Sequence, residues 1–290
     1  MDVSDSPSPA VQRRRLRSEL RRARLGAGLT QEQVAKAMDW SLSKLIRIEN
    51  GTTAGISTND LKAILLHYQV TDQARTEEFL GLARASRERS WWSAYREVAP
   101  ARLIQLIEYE EAANISRNFQ SFVVPGMLQT EEYARASINQ LAPDMPAGQV
   151  NPRVEIRMKR QQLLKRPDAP LMFFIMDEGV VRRLVGGKDV MRQQLQRMID
   201  VADTPNVTIE VVPFSAGALP GMQAPFVIHE FPEPADDDVL YQENPSGDVL
   251  SRDDPEEILS FREFFEHMHG SSLGAAGTVD FLRELINGLL

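Results

Sequence analysis

Leu42, Ser43, Lys44 and Arg47 fall on one side of a short helical pattern, opposite Leu45 and Ile48, and Ser41 stands where such a helix would be capped. Hydroxyl, ammonium and guanidinium groups held at the start of an exposed helix are donors of the kind that reach base edges in the major groove of duplex DNA. The preceding segment supports that geometry. Counted from Gln31, Ala35 is small where two helices would touch, and Asp39 sits at a turn that needs a left-handed backbone. Glycine is the usual residue there, but aspartate tolerates that region better than most.

Other chemistry finds little support. Cysteine is absent, which excludes disulfides, thiolate metal sites and a sulfur nucleophile. The four histidines, His67, His229, His267 and His269, are scattered, and His267 and His269 are spaced poorly for helical metal ligation. Gly186 and Gly187 stand alone, so no glycine-rich phosphate loop is expected. Asp177 and Glu178 follow a strand pattern, where catalytic carboxylates can sit, yet helix capping explains Asp177 without chemistry. The expectation is no catalytic residues, no metal and no cofactor. An enzyme using Asp177, Glu178, His229 or Glu243 stays open as the reading that converging, perturbed groups would revive.

The elements that must hold the donors can be read from periodicity. A polar tail over residues 1–10 precedes a helix in which Leu16, Leu20 and Ala23 recur among seven arginines, Arg13, Arg14, Arg15, Arg17, Arg21, Arg22 and Arg24. Thr30 with Gln33 forms a capping-box pattern ahead of a second helix, and Asn50 and Gly51 close the third. Leu61, Ile64, Leu65 and Tyr68 mark a fourth helix after Thr58, and Phe79, Leu82 and Ala83 a fifth. Beyond Arg89 come the aromatics Trp91, Trp92 and Tyr95, then a helix with an acidic face at Glu108, Glu110 and Glu111. The runs LMFFIM (171–176) and VTIEVV (207–212) flank a helical span from Lys188 to Asp203 and predict a βαβ unit. Two further strand patterns, from 224 and 238, are joined by a proline and aspartate turn that predicts antiparallel pairing. Asp254 caps a helix with Pro255 at its first position, and Thr278 opens the last. The fold class is therefore an all-α N-terminal helix-turn-helix bundle followed by a mixed α+β C-terminal domain. The organisation is a tail over 1–10, the bundle over 11–89, a connecting aromatic and helical segment over 90–113, and a regulatory, ligand-sensing or dimerisation domain over 114–290.

Charge divides along the same line. The chain of 290 residues has a net charge of −8, but residues 11–96 carry 16 Lys and Arg against 9 Asp and Glu, and everything after them is strongly acidic. A basic head on an acidic body suits a nucleic-acid-binding module joined to a sensing or interaction domain. Arg13, Arg14, Arg17 and Arg21 are candidates for phosphate contact, or alternatively a solvated face. A second basic helix, with Arg153, Arg157, Lys159, Arg160, Lys165 and Arg166, is a candidate to reach DNA flanks or an acidic partner, or alternatively a solvated face. Trp91, Trp92 and Tyr95, with Phe214 and Met222 of the loop FSAGALPGM, mark either a ligand pocket or a domain contact, the aromatics reading as docking residues at a domain junction; for the loop the other reading is a long hairpin connection. No apolar run approaches the length of a membrane span, and the acidic, polar N-terminus is unlike a signal peptide, so a cytoplasmic protein, at the nucleoid when bound to DNA, is expected.

The run LTQEQVAKAMDWSLSKLIRIENG resembles the XRE, or lambda-repressor-like, family of DNA-binding domains, through LTQ, SxSK and RIExG. The resemblance implies that Gln31 contacts DNA from the second helix, that Asn50 touches a phosphate, and that Arg24 pairs with Glu49 inside the domain. Ile46 departs from the pattern, standing where serine is frequent. Stretches including RSWWSAYREVAP, VVPGMLQTEEYARA, RVEIRMKRQQLL, MDEGVVRRLVGG and PNVTIEVVPFSAGALPGM resemble the narrower WhiJ-like regulators of actinomycetes. That resemblance implies a transcription factor of development or secondary metabolism, often encoded beside a small partner protein. The expected partners are double-stranded DNA and a second copy of the chain, because one recognition helix offers few base contacts. A small-molecule effector acting on the second domain is one mode of control. The alternative is an antitoxin-like interaction module governed by a partner protein.

Overall fold

The computed structural model describes residues 9–50, 56–231, 238–244, 249–251 and 254–289, without the side chains of Asn50 and Ala147. Residues 1–8 of the expected tail, Gly51 after the third helix, and the turn over 232–237 lie outside the described residues. Two compact units divide the chain, the first within residues 1–93 and the second from Ala94 onward.

The first unit is helical: α1 (Pro9–Gly26), α2 (Gln31–Ala37), α3 (Leu42–Asn50), α4 (Thr58–His67) and α5 (Gln73–Ala85). Proline opens α1 two residues before the expected start, and Ala10 is already buried. Side-chain caps fix where the next helices begin. Thr30 and Gln33 form the full capping box on α2, while Ser57 and Asp72 accept from backbone N–H groups at the starts of α4 and α5. Leu16 and Leu20 of α1 meet Val34, Leu45, Leu61, Ile64 and Phe79 in one core.

The second unit begins with α6 (Ala101–Ala112) and then β1 (Ile115–Gln120), α7 (Glu131–Leu141) and α8 (Ala147–Arg160). It continues through β2 (Leu171–Asp177), α9 (Glu178–Arg182), α10 (Lys188–Ala202), β3 (Val207–Val212) and β4 (Phe226–Glu230). It ends with β5 (Val239–Gln242), β6 (Val249–Ser251), α11 (Pro255–Gly270) and α12 (Gly274–Gly288). The strands form one six-stranded sheet in the order β3-β2-β1-β4-β5-β6. β1, β2 and β3 run parallel, and β4, β5 and β6 are antiparallel to their neighbours. The βαβ unit from β2 to β3 and the antiparallel pairing of β4 with β5 are as the sequence predicts. α12 starts four residues before Thr278, whose hydroxyl instead accepts the Val211 N–H of edge strand β3 at 3.0 Å.

Within the second unit, α6 lays Leu103 and Leu106 on Val227 and Tyr241 as part of the sheet's cover. The loop after β3 is not a hairpin, because β4 lies on the far side of β1, and residues 213–225 must cross the ends of two strands to reach it. Gly221 in that loop has φ +83°, and a Cβ there would lie 2.7 Å from Phe264 of α11. The basic residues from Arg153 to Arg166 are not one solvated face. Glu110 is buried against Arg160, with Nε to Oε2 at 2.9 Å, and Glu111 is buried against Arg166 at 2.6 Å.

Replacing Glu110 with alanine removes the counter-charge of an enclosed guanidinium. A loss of about 3–5 kcal/mol in urea unfolding is expected, and a loss under about 1 kcal/mol would mean that water reaches Arg160.

Candidate nucleic-acid interface

The turn between α2 and α3 is set by two backbone features. Asp39 adopts φ +55°, the left-handed geometry the spacing requires, and Trp40 N–H donates to Ala35 O at 2.9 Å. Ala35 is buried at the helix contact, and Leu45 and Ile48 turn inward. Their inward placement leaves Ser41, Leu42, Ser43 and Arg47 exposed on α3.

One carboxylate ties three helices together behind that face. Glu49 of α3, 7% exposed, accepts from Arg24 of α1 through Nε at 2.7 Å and Nη2 at 3.0 Å. Gln31 of α2 donates to the same carboxylate at 2.7 Å, and Arg24 Nη1 reaches Leu29 O at 2.8 Å. Burial, reinforced by the Glu49 charge, pushes the nearby Tyr68 phenol above its ordinary value. The Arg24–Glu49 pair implied by the resemblance is present. Gln31 is engaged by this pair in the isolated protein.

The predicted base-contacting residues divide into three groups. Leu42 and Ser43 stand clear, and Arg47 is exposed while its Nε donates back to Ser43 O at 3.2 Å. Ser41 Oγ accepts the Lys44 N–H at 3.2 Å, so it caps the helix while remaining exposed. Lys44 is half-buried: its ammonium lies 3.8 Å from the Trp40 ring centroid and 3.2 Å from Asp60 Oδ2 of α4. Trp40 and Asp60 are thus neighbours of the recognition face that sequence reading missed. The Trp40–Lys44 interval of four residues is the local signal that could have found the first, whereas Asp60 is set by tertiary packing. Asn50 belongs to α3 by backbone, and its side chain lies outside the described residues.

The arginines of α1 are similarly varied. Arg13 donates to Ser86 O at 3.0 Å and to Ser90 Oγ at 3.4 Å, joining α1 to the segment after α5. Arg14 and Arg17 are half-buried, and Arg21 is exposed.

Trp91 and Trp92 stack edge to face at 5.6 Å between centroids, with Trp92 buried. Tyr95, in the second unit, lies under Lys159 Nζ. Phe214 is exposed, while Met222 packs with Phe261 and Phe264 in the core. Asp177 caps α9 through Gly179 N–H at 2.8 Å, and the buried Glu178 accepts the Phe214 N–H at 2.6 Å. Among the described residues, no group of three or more metal-binding side chains comes together, and no helix is long and apolar enough to cross a membrane.

Residues 15–79 match the family model of a helix-turn-helix domain, and residues 103–284 match that of a domain of unknown function, DUF5753. No curated protein and no solved structure matches the chain.

The Asp60→Asn variant releases Lys44 from its ion pair. Binding to a non-cognate duplex is expected to strengthen severalfold at low salt, with the slope of log affinity against log salt steeper by up to about one unit. Stability should change by less than about 1 kcal/mol, since the pair is partly exposed. Fluorescence anisotropy across a salt series reads the slope, and an unchanged slope removes Lys44 from the interface.

Proposed function

The chain belongs to the family of the DUF5753 domain and carries a helix-turn-helix domain ahead of it, and from that premise we propose that it is a sequence-specific DNA-binding transcriptional regulator. The observation that carries the reading is the exposed face of α3, where Leu42, Ser43 and Arg47 project beside a left-handed turn of helix-turn-helix geometry. In the complex, Arg47 leaves Ser43 O and turns its fork toward a base edge. Ser41, Gln31 and Asn50 serve the backbone and the flanks of the site, and Arg14, Arg17 and Arg21 add phosphate contacts. The excess of cations over residues 11–96 favours approach to the polyanion.

The working form in this reading is a homodimer on two half-sites about one helical turn apart. Its type is WhiJ-like, in development or secondary metabolism, and its second unit senses a signal that favours one arrangement of the recognition helices over another. The role is binding rather than catalysis. The roles of Asp177 as a helix cap and Glu178 as a loop anchor support that part of the reading.

Genome-wide immunoprecipitation followed by gel shifts on the recovered fragments tests it. Arg47→Ala is expected to weaken cognate binding about 10- to 100-fold and to flatten base preference. Arg21→Ala should weaken every sequence alike and reduce the salt slope by about one. Equal effects of the two substitutions would overturn the assignment of roles, and an absence of sharp palindromic peaks would overturn the reading.

A further inference from the structure

The middle strand of the sheet is polar on one face. Ser116, Asn118 and Gln120 of β1 point the same way as their register partners Met172, Phe174 and Met176 of β2, and all three are buried. Asn118 is only 9% exposed, and its Oδ1 has no hydrogen-bond partner. An enclosed, unpaired carbonyl oxygen forfeits the hydrogen bond it would have in water, a penalty that leucine of similar volume would not carry.

α8 presents a cationic edge to the carboxyl end of that strand. Arg157 donates through Nη1 to Gln129 Oε1 at 2.9 Å, Ser137 Oγ at 3.0 Å and Ala134 O at 3.5 Å. All three acceptors are uncharged, and among the described residues no carboxylate lies within ion-pair distance of Arg157. One turn earlier, Arg153 Nε is enclosed without a partner. The next arginine along the helix, Arg160, has Glu110, so the contrast lies within a single element. Burial, together with the Arg160 and Arg153 charges, pushes Arg157 down to about 10, partly offset by Glu243.

Sheet register joins these observations. Gln120 ends β1, and the loop that follows supplies Gln129, which accepts from Arg157. Glu243 N–H donates to Pro225 O beside Phe226, the register neighbour of Phe119, so Glu243 stands at the same end of the sheet as Gln120. The polar strand and the under-neutralised arginines thus meet at one end of the sheet.

A guanidinium anchored on one nitrogen by neutral groups keeps its other edge preset for a planar or tetrahedral anion, with little ordering left to oppose binding. We propose that the second unit binds a small organic anion here, its carboxylate or phosphate held by the outer edge of Arg157 with Arg153 and its hydrogen-bonding body by Asn118 and Gln120. Binding itself is independent of the DNA interface, though the site's role as an effector site rests on the regulator reading.

Thermal unfolding of the full chain tests the site, using inorganic phosphate, acetate and L-glutamate as separate probes at an ionic strength held constant with chloride. At ten times its Kd, a binding probe is expected to raise the unfolding midpoint by about 3–6 °C. Phosphate against the two carboxylates decides which anion the arginine takes. Arg157→Gln should abolish the rise. Asn118→Leu should unfold no lower than the parent yet lose at least half of the rise, which keeps the test informative if the arginine variant folds poorly. No rise with any of the three probes, or a full rise retained in either folded variant, overturns the site. Gel shifts with and without the probe are read separately: DNA binding that ignores an anion giving the thermal shift removes the effector role and leaves the site.

Discussion

A carboxylate taken out of water must meet a cation or several donors, or it costs more than a small core can return. Both units are organised by that requirement. In the first, Glu49 draws Arg24 and Gln31 onto itself, so that the orientation of α3 is fixed by α1 and α2 through one group. In the second, Glu110 and Glu111 pin α6 to Arg160 of α8 and to Arg166 just beyond it, while Glu210 of β3 takes His269 and Ser272 across to the end of α11. Glu178 holds the start of the 213–225 crossing in the same manner. Apolar packing fills the space, and these acids choose which of many similar packings is adopted.

What could be read from the sequence follows from how local each signal is. The helix-turn-helix was legible because its constraints, Thr30 with Gln33, Ala35, Asp39, Leu45 and Ile48, all fall within about 20 residues and act through caps, a turn and a helical stripe. The exposure of Leu42, Ser43 and Arg47 followed from the same stripe. The state of Lys44 did not, since Asp60 reaches it from the next helix. β1 was missed altogether: ISRNFQ lacks the apolar alternation of a half-buried strand because both of its faces are covered and one of them, Ser116, Asn118 and Gln120, is polar. In the same way, nothing local in α6 or α8 says that Glu110 meets Arg160. Periodicity records that a face is polar, and says nothing about whether water or another charge will cover it.

The strand order explains the loop after β3. A chain leaving an edge strand for the other side of the centre must pass over the carboxyl ends of the parallel strands, and it can lie close to the sheet only if it packs on what is there. Gly221 allows backbone contact with Phe264, and Met222 adds its side chain to the same core. Gly221 therefore serves close packing against α11, while Ser215, Gly217 and Ala218 stay outside with Phe214.

The position of β1 also sets the order in which the protein can assemble during synthesis. Among the described residues, the core of the first unit is drawn from Leu16 to Ala83, with α1 closing onto α5. β1 is different: it is complete only when flanked by β2 and by β4, and its Arg117 pairs with Glu230, 113 residues later. The recognition helix therefore acquires its shape while the strand at the centre of the second sheet is still waiting for a neighbour the ribosome has not yet made. A nascent chain passes through an interval in which the head is folded and the body is not.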